Sequence, residues 1–187
     1  MTSTLSANLA VSLTAAAALL SACASAPTPP AAVFSQAMLP AAVQVPAGHK
    51  VAMETTGVGE IVYECREKAA AAGQFEWVFV GPDAMLKDRS GKPVGRYYGP
   101  PATWESNDGS KLTGAQVAVA PAMAGSIPLQ LVKGNAAMGA GAMAGVSYIQ
   151  RVATQGGVAP AMACDAAAKG NRQIVKYQAD YIFYKAA

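Results

Sequence analysis

An antiparallel all-β domain, folded as a single sandwich or a partly closed barrel with long loops, is what this sequence predicts. Three observations carry the prediction. Two stretches, EIVYECRE (60–67) and QFEWVFVG (74–81), alternate side chains as strands do. Turn signals built from Gly, Pro, Asn and Asp recur at short spacing between further β-branched and aromatic runs. No stretch after residue 46 carries the 3.6-residue apolar repeat of a long amphipathic helix.

The elements follow in order. Leu9 to Leu20 is an apolar run of 12 residues, too short to span a bilayer and suited to an export signal. It ends in Leu20-Ser21-Ala22-Cys23, the order of residues in a bacterial lipoprotein cleavage box, where the thiol receives the lipid. Met1 to Asn8 departs from the usual signal in having no Lys or Arg. The expected signal peptide is 1–22, with lipidation at Cys23. Acyl chains there would hold the protein to a membrane surface without a spanning helix. Ala24, rather than Asp, follows the cysteine, which by likeness to sorted lipoproteins points to the outer membrane, facing the periplasm.

Residues 23–46 contain five Pro among small side chains and are expected to form a disordered tether. The β domain then occupies 47–187. Thr55 to Gly59 reads as a turn. In the strand that follows, Ile61, Tyr63 and Cys65 share one face. Phe75, Trp77 and Phe79 share a face of the next strand, which Pro82-Asp83 is expected to end. DRSGK (88–92) would reverse the chain into Pro93–Tyr98. Asn107-Asp108-Gly109 is a hairpin turn between Thr103–Ser106 and Lys111–Ala120. A short strand, Leu129 to Lys133, precedes the Gly-rich 134–145, read as a mobile loop. Val146 to Thr154 is a strand, 155–169 a loop, and Gln173 to Lys185 closes the domain.

Cysteine arithmetic adds a cross-link. With Cys23 taken by lipid, Cys65 and Cys164 remain, and an even remainder in an exported chain is expected to form one disulfide.

Composition excludes several kinds of chemistry. The formal net charge is +3, with the basic residues scattered, so no run tracks a nucleic-acid backbone. The one histidine, His49, cannot build a multi-histidine metal site and reads as a solvated loop residue. Gly139-Ala140-Gly141 followed by Gly145 lacks both the spacing and the βαβ context of a dinucleotide loop. There is no GxSxG elbow and no P-loop, and no cofactor or metal is called for. Arg151 and Asp165 are expected to pair near the disulfide.

The stretch 91–109 is the richest in recognition chemistry. Tyr97, Tyr98, Trp104 and Glu105, with Asp108 and Arg151, form the candidate binding surface, because aromatic rings beside a charge make good anchors; the Tyr97, Tyr98, Trp104 and Glu105 stretch equally suits packing at a rigid β-sheet corner. Three functions fit. One is a lipid-anchored envelope protein whose β domain binds a small molecule or an envelope partner. The second is an envelope enzyme acting on a sugar or other small molecule, with Glu105 as acid or base. The third is a purely structural lipoprotein.

The chain resembles the family known as domain of unknown function 3455. The matching pieces include Ile61-Val62-Tyr63-Glu64-Cys65, Trp77-Val78-Phe79, Thr103-Trp104-Glu105 and Tyr148-Ile149-Gln150-Arg151. Further pieces are Gly156-Gly157-Val158-Ala159-Pro160, Cys164-Asp165 and Ala179-Asp180-Tyr181. Two features depart from the family pattern. Tyr97-Tyr98 stands where relatives carry a His-aromatic pair, and Pro101-Ala102 is inserted between Gly-Pro and Thr-Trp-Glu. The resemblance implies a secreted or envelope domain and carries over no catalytic residues.

Overall fold

The computed structural model describes residues 34–187, together with Met1. The expected signal peptide, the lipidation site Cys23 and the first part of the tether lie outside the described residues.

Eight strands form the domain: β1 (His49–Glu67), β2 (Phe75–Lys87), β3 (Pro93–Tyr98), β4 (Thr103–Ser106), β5 (Lys111–Ala120), β6 (Leu129–Gly134), β7 (Val146–Gly156) and β8 (Arg172–Ala186). Each pairs antiparallel with the next, and β8 pairs back onto β1 from His49 to Glu64, closing the sheet into a barrel. Of the two expected closures, the barrel is the one formed, and its ring is complete. Closure gives every strand a neighbour on each side over at least part of its length.

Period-two alternation decides what fills the barrel. Ile61 and Tyr63 of β1, Ala84 and Leu86 of β2, Leu112 of β5, Ile149 of β7 and Tyr177, Ala179, Tyr181 and Phe183 of β8 belong to one buried core. The outer face around β1 and β8 carries ion pairs. Arg89 joins Glu54 and Asp180 at 2.8 and 2.7 Å, Arg172 meets Glu64 at 2.8 Å, and Lys176 meets Glu60 at 2.7 Å. Such ion pairs on the outside of β1 and β8 differ from the apolar outer band of a membrane-spanning barrel.

Two expected breaks are absent. β1 runs straight through Thr55–Gly59, and the glycines there serve close packing rather than a turn. A Cβ on Gly57 would come within 2.6 Å of the Tyr181 ring, and one on Gly59 would run into the backbone of Asp83 and Ala84. β2 likewise continues through Pro82, which faces Ile61 in the register. Pairing with β3 begins only at Asp83, so up to that point β2 has a partner on one side, where a residue without an N–H is tolerated.

The tether expectation needs correction for residues 34–46. These residues dock on the outside of the barrel. Val43 and Val45 are buried with Leu131, Val152, Ile182 and Tyr184, and Phe34 and Leu39 pack beside them. The physical reason is that β6, β7 and β8 present apolar side chains outward here as well as inward. Gln150 fixes the segment. Buried on β7, it donates from Nε2 to the Val43 carbonyl at 2.6 Å and to Gln36 Oε1 at 2.9 Å, and it accepts from the Tyr184 hydroxyl at 2.8 Å. Its polar atoms are thereby satisfied in a site where an unmade hydrogen bond is costly.

The Gly-rich 134–145 is also more ordered than its composition predicts. Met138 bridges to Lys111, and Met143 is buried in the main core. At the other end of the chain, Cys65 and Cys164 are joined as expected, with Cα atoms 5.6 Å apart. Arg151 and Asp165 do not pair. Asp165 accepts from the N–H groups of Ala167 and Ala168, capping a short 3-10 turn, and Arg151 turns to the Pro128 carbonyl.

Candidate functional site

The side chains of the predicted surface do not share one face. On β3, Tyr97 points inward and Tyr98 outward. On β4, Trp104 points inward and Glu105 outward. The register sets Tyr97 opposite Trp104 and Arg96 opposite Glu105, so the six expected contact residues divide between the two sides of the wall.

Inside, Trp104 is 1% exposed and Tyr97 is 6% exposed. Their rings stack at 4.7 Å, and Tyr181 packs against both at 4.9 and 6.0 Å. Burial removes these two residues from any protein-docking surface. The expectation that they form one contact surface with Tyr98 and Glu105 is therefore corrected, because neighbours along a strand face opposite ways. Outside, the Tyr98 hydroxyl donates to Glu105 Oε2 at 2.6 Å, and that carboxylate holds the phenol above its ordinary range. Arg96 lies over the Tyr98 ring and pairs through two nitrogens with Asp83. Glu105 is thus part of a surface network on the side of β4 away from the core.

Asp108 is turn chemistry. Its Oδ1 accepts from the Ser110 hydroxyl at 2.6 Å and from the Ser110 N–H at 2.9 Å, and its Oδ2 accepts from the Ala142 N–H at 2.7 Å. These bonds tie the β4–β5 turn to the Gly-rich loop. They hold the carboxyl down at about 2, the Ser110 hydroxyl contributing most. A depressed folded-state value stabilises the fold above the ordinary carboxyl range, and that stabilisation is lost as pH falls toward 2. The Asp108→Asn variant is therefore expected to melt below wild type at pH 7. The gap should close between about pH 4 and pH 2, which thermal melting across that range would measure. A gap that stayed constant with pH would contradict it.

The interior residues border a cavity. Up to Pro82, β2 has no partner on its β3 side, and β5 pairs with β4 only through Thr113. The short β3–β4 hairpin therefore leaves a notch in the wall between the free lengths of β2 and β5. A cavity of about 320 Å³ lies there, lined by Phe79 of β2, Tyr97, Ala102 and Trp104 of the hairpin, Gly114 and Gln116 of β5, Gln130 and Val132 of β6, and Arg151 of β7. Three of its walls are aromatic. Phe79, half exposed, covers Tyr63 edge to face at 6.1 Å. Gln130 donates to Gln116 at 2.7 Å on the opposite wall. Arg151 is the only charged lining residue.

Two groups in this lining are not fully used by the protein. Trp104 Nε1 is buried and has no hydrogen-bond partner among the described residues. Arg151 makes no ion pair among the described residues, and its Nε and Nη2 both donate to one carbonyl, that of Pro128, at 3.2 and 3.0 Å. Of the predicted residues, then, the fold brings Tyr97, Trp104 and Arg151 together and sends Tyr98, Glu105 and Asp108 elsewhere. Sequence reasoning missed Phe79, Gln116 and Gln130 as site residues. For Phe79 the strand alternation was legible. For the glutamines the signal was a polar residue at an inward position of an otherwise apolar strand.

A comparison with curated proteins and one with solved structures each find no match to the chain. A family model does match, over residues 46–185, a range that takes in all eight strands except the last residue of β8. The chain belongs to the family described as Protein of unknown function (DUF3455).

Proposed function

We propose that the barrel is a small-molecule-binding module of the cell envelope, taking a ligand with a flat apolar body through the notch into the cavity beside Trp104. The observation that carries this reading is the buried, unpartnered N–H of Trp104, a residue that lines a cavity with Phe79 and Tyr97 as its other aromatic walls. A buried donor without a partner costs about 1–3 kcal/mol, which an acceptor on a bound molecule would recover once the β3–β4 hairpin shifts to admit it. The cavity size falls at the small end of the usual ligand-pocket range of about 300–1,000 Å³, so the ligand is compact. The half-exposed Phe79 ring, on the same lining as the stacked Tyr97 and Trp104, suits a planar guest.

The test is tryptophan fluorescence in Trp77→Phe protein, where Trp104 is the sole reporter. A saturable emission change with bicyclic aromatic probes, lost in Gly114→Leu protein, would support the reading. Gly114 lines the cavity, and a Cβ there would run into the Val132 side chain of the same lining, so the variant is read for binding only where its far-UV spectrum matches wild type. If no such probe binds, the binding reading fails and a purely structural role is favoured. An acid–base role for Glu105 would have to operate at the outer groove, because its carboxylate accepts from Tyr98 outside the barrel.

The envelope location rests on the sequence, in the Leu20-Ser21-Ala22-Cys23 box. Labelled palmitate is expected to enter the wild-type protein and not Cys23→Ser. Equal labelling of the two would overturn lipid anchoring and leave the cavity reading untouched.

A further inference from the structure

We infer that the ligand of the notch cavity is a monocarboxylate, bound through its anionic head to Arg151. The inference rests on the preceding reading of the cavity as a binding site and adds the chemical class.

The first argument is donor geometry. A guanidinium has five N–H donors in a planar fork. The Pro128 carbonyl engages Nε and Nη2 of Arg151, which fixes the plane of the group. Nη1 has no partner among the described residues, and with the second N–H of Nη2 it forms an edge that matches the two oxygens of a carboxylate. Arg151 is thus oriented by the protein without being consumed by it.

The second argument is charge. The cavity lining contains no Asp or Glu. Four tyrosines feel the Arg151 charge, Tyr63, Tyr97, Tyr177 and Tyr181, and burial pushes each phenol upward despite it. They stay protonated at neutral pH, so none supplies the counter-charge. One positive charge beside a partly desolvated cavity favours a guest with one negative charge. A dianion would leave a second charge uncompensated beside apolar walls. The guest's flat body then has the half-exposed Phe79 ring to lie against, on the same lining as Tyr97 and Trp104. The Gln116–Gln130 pair, joined by a single hydrogen bond, keeps further polar atoms for a substituent.

The test compares 2-naphthoate with its neutral isostere 2-naphthamide, by calorimetry on the full protein. Naphthoate is expected to bind more tightly by roughly tenfold to a hundredfold, the size of a charge-assisted fork lost or kept. Arg151→Gln should erase that preference, with naphthoate losing the larger share of its affinity. Arg151→Lys should retain part of it, because the charge remains and the fork does not. The Lys variant also guards against a folding defect from the lost Pro128 contact. Equal affinity for the two probes in wild type would overturn the inference while leaving the cavity reading standing. So would a preference that survives Arg151→Gln. Absence of saturable binding by either probe would overturn the cavity reading and this inference with it.

Discussion

Replacing Trp104 with Ala is expected to lower the unfolding free energy by about 3–5 kcal/mol, the range for removing a large aromatic from a packed core. Trp104 is among the largest fully buried side chains, and it stands between the Tyr97 stack and the Tyr181 edge. Its neighbours cannot close the gap. Tyr97 and Tyr181 come from strands fixed by their own ladders, and Gly114, beside the Trp104 ring, has no side chain to move in. The void would join the notch cavity and admit water beside aromatic carbon. Trp104→Phe keeps much of the ring and also removes the orphaned N–H, so it should cost clearly less than Ala. Urea titration of the two variants measures both. A loss below about 1 kcal/mol for the Ala variant would mean that the Trp104 ring is not a structural centre of the barrel.

Removing the disulfide should be nearly as damaging. Replacing Cys65 and Cys164 together with Ala is expected to cost about 2–5 kcal/mol, as for other small exported domains. The bond closes a loop of 99 residues in sequence, so in the chain-entropy view it restricts the unfolded chain more than a short loop would. It also fixes the long segment between β7 and β8. That segment has other anchors. Trp77 donates its indole N–H to Met162 O at 2.9 Å, and Cys65 exchanges backbone hydrogen bonds with Gly170 and Asn171. The folded shape should therefore survive the double substitution, with the denaturation midpoint shifted and the slope rising as the unfolded chain expands. An unchanged midpoint in oxidised wild type and double variant would refute it.

Much of this fold was legible in the residues. Alternation at Ile61–Cys65 gave the correct inward face, because burying one side of a strand imposes period two directly on the sequence. The even remainder of cysteines gave the bridge. The errors have a common source. Gly57, Gly59 and Pro82 look like punctuation when only the chain's own neighbours are considered, yet each is explained by another strand: the Tyr181 ring, the backbone of Asp83 and Ala84, and the late start of β3. Residues 34–46 look unable to bury anything, and alone they are. Their partner is the outward apolar face of β6–β8, which strand patterning does not distinguish from an ordinary two-sided strand. The site divided for the simplest reason. Tyr97-Tyr98 and Trp104-Glu105 are adjacent in sequence, and adjacency in a strand means opposite sides of the wall.

The ladders of this ring are uneven, and that gives the molecule a direction of breathing. β1 and β8 grip each other from His49 to Glu64, while β4 holds β5 only from Thr103 to Glu105, and β3 holds β2 only from Asp83 to Lys87. Local opening starts where the fewest cross-strand bonds must break together. The β3–β4 hairpin is that place, and it carries Tyr97 and Trp104, two walls of the cavity. The same few bonds would then set how fast a guest enters and leaves, while the long β1–β8 seam sets how long the barrel itself lasts.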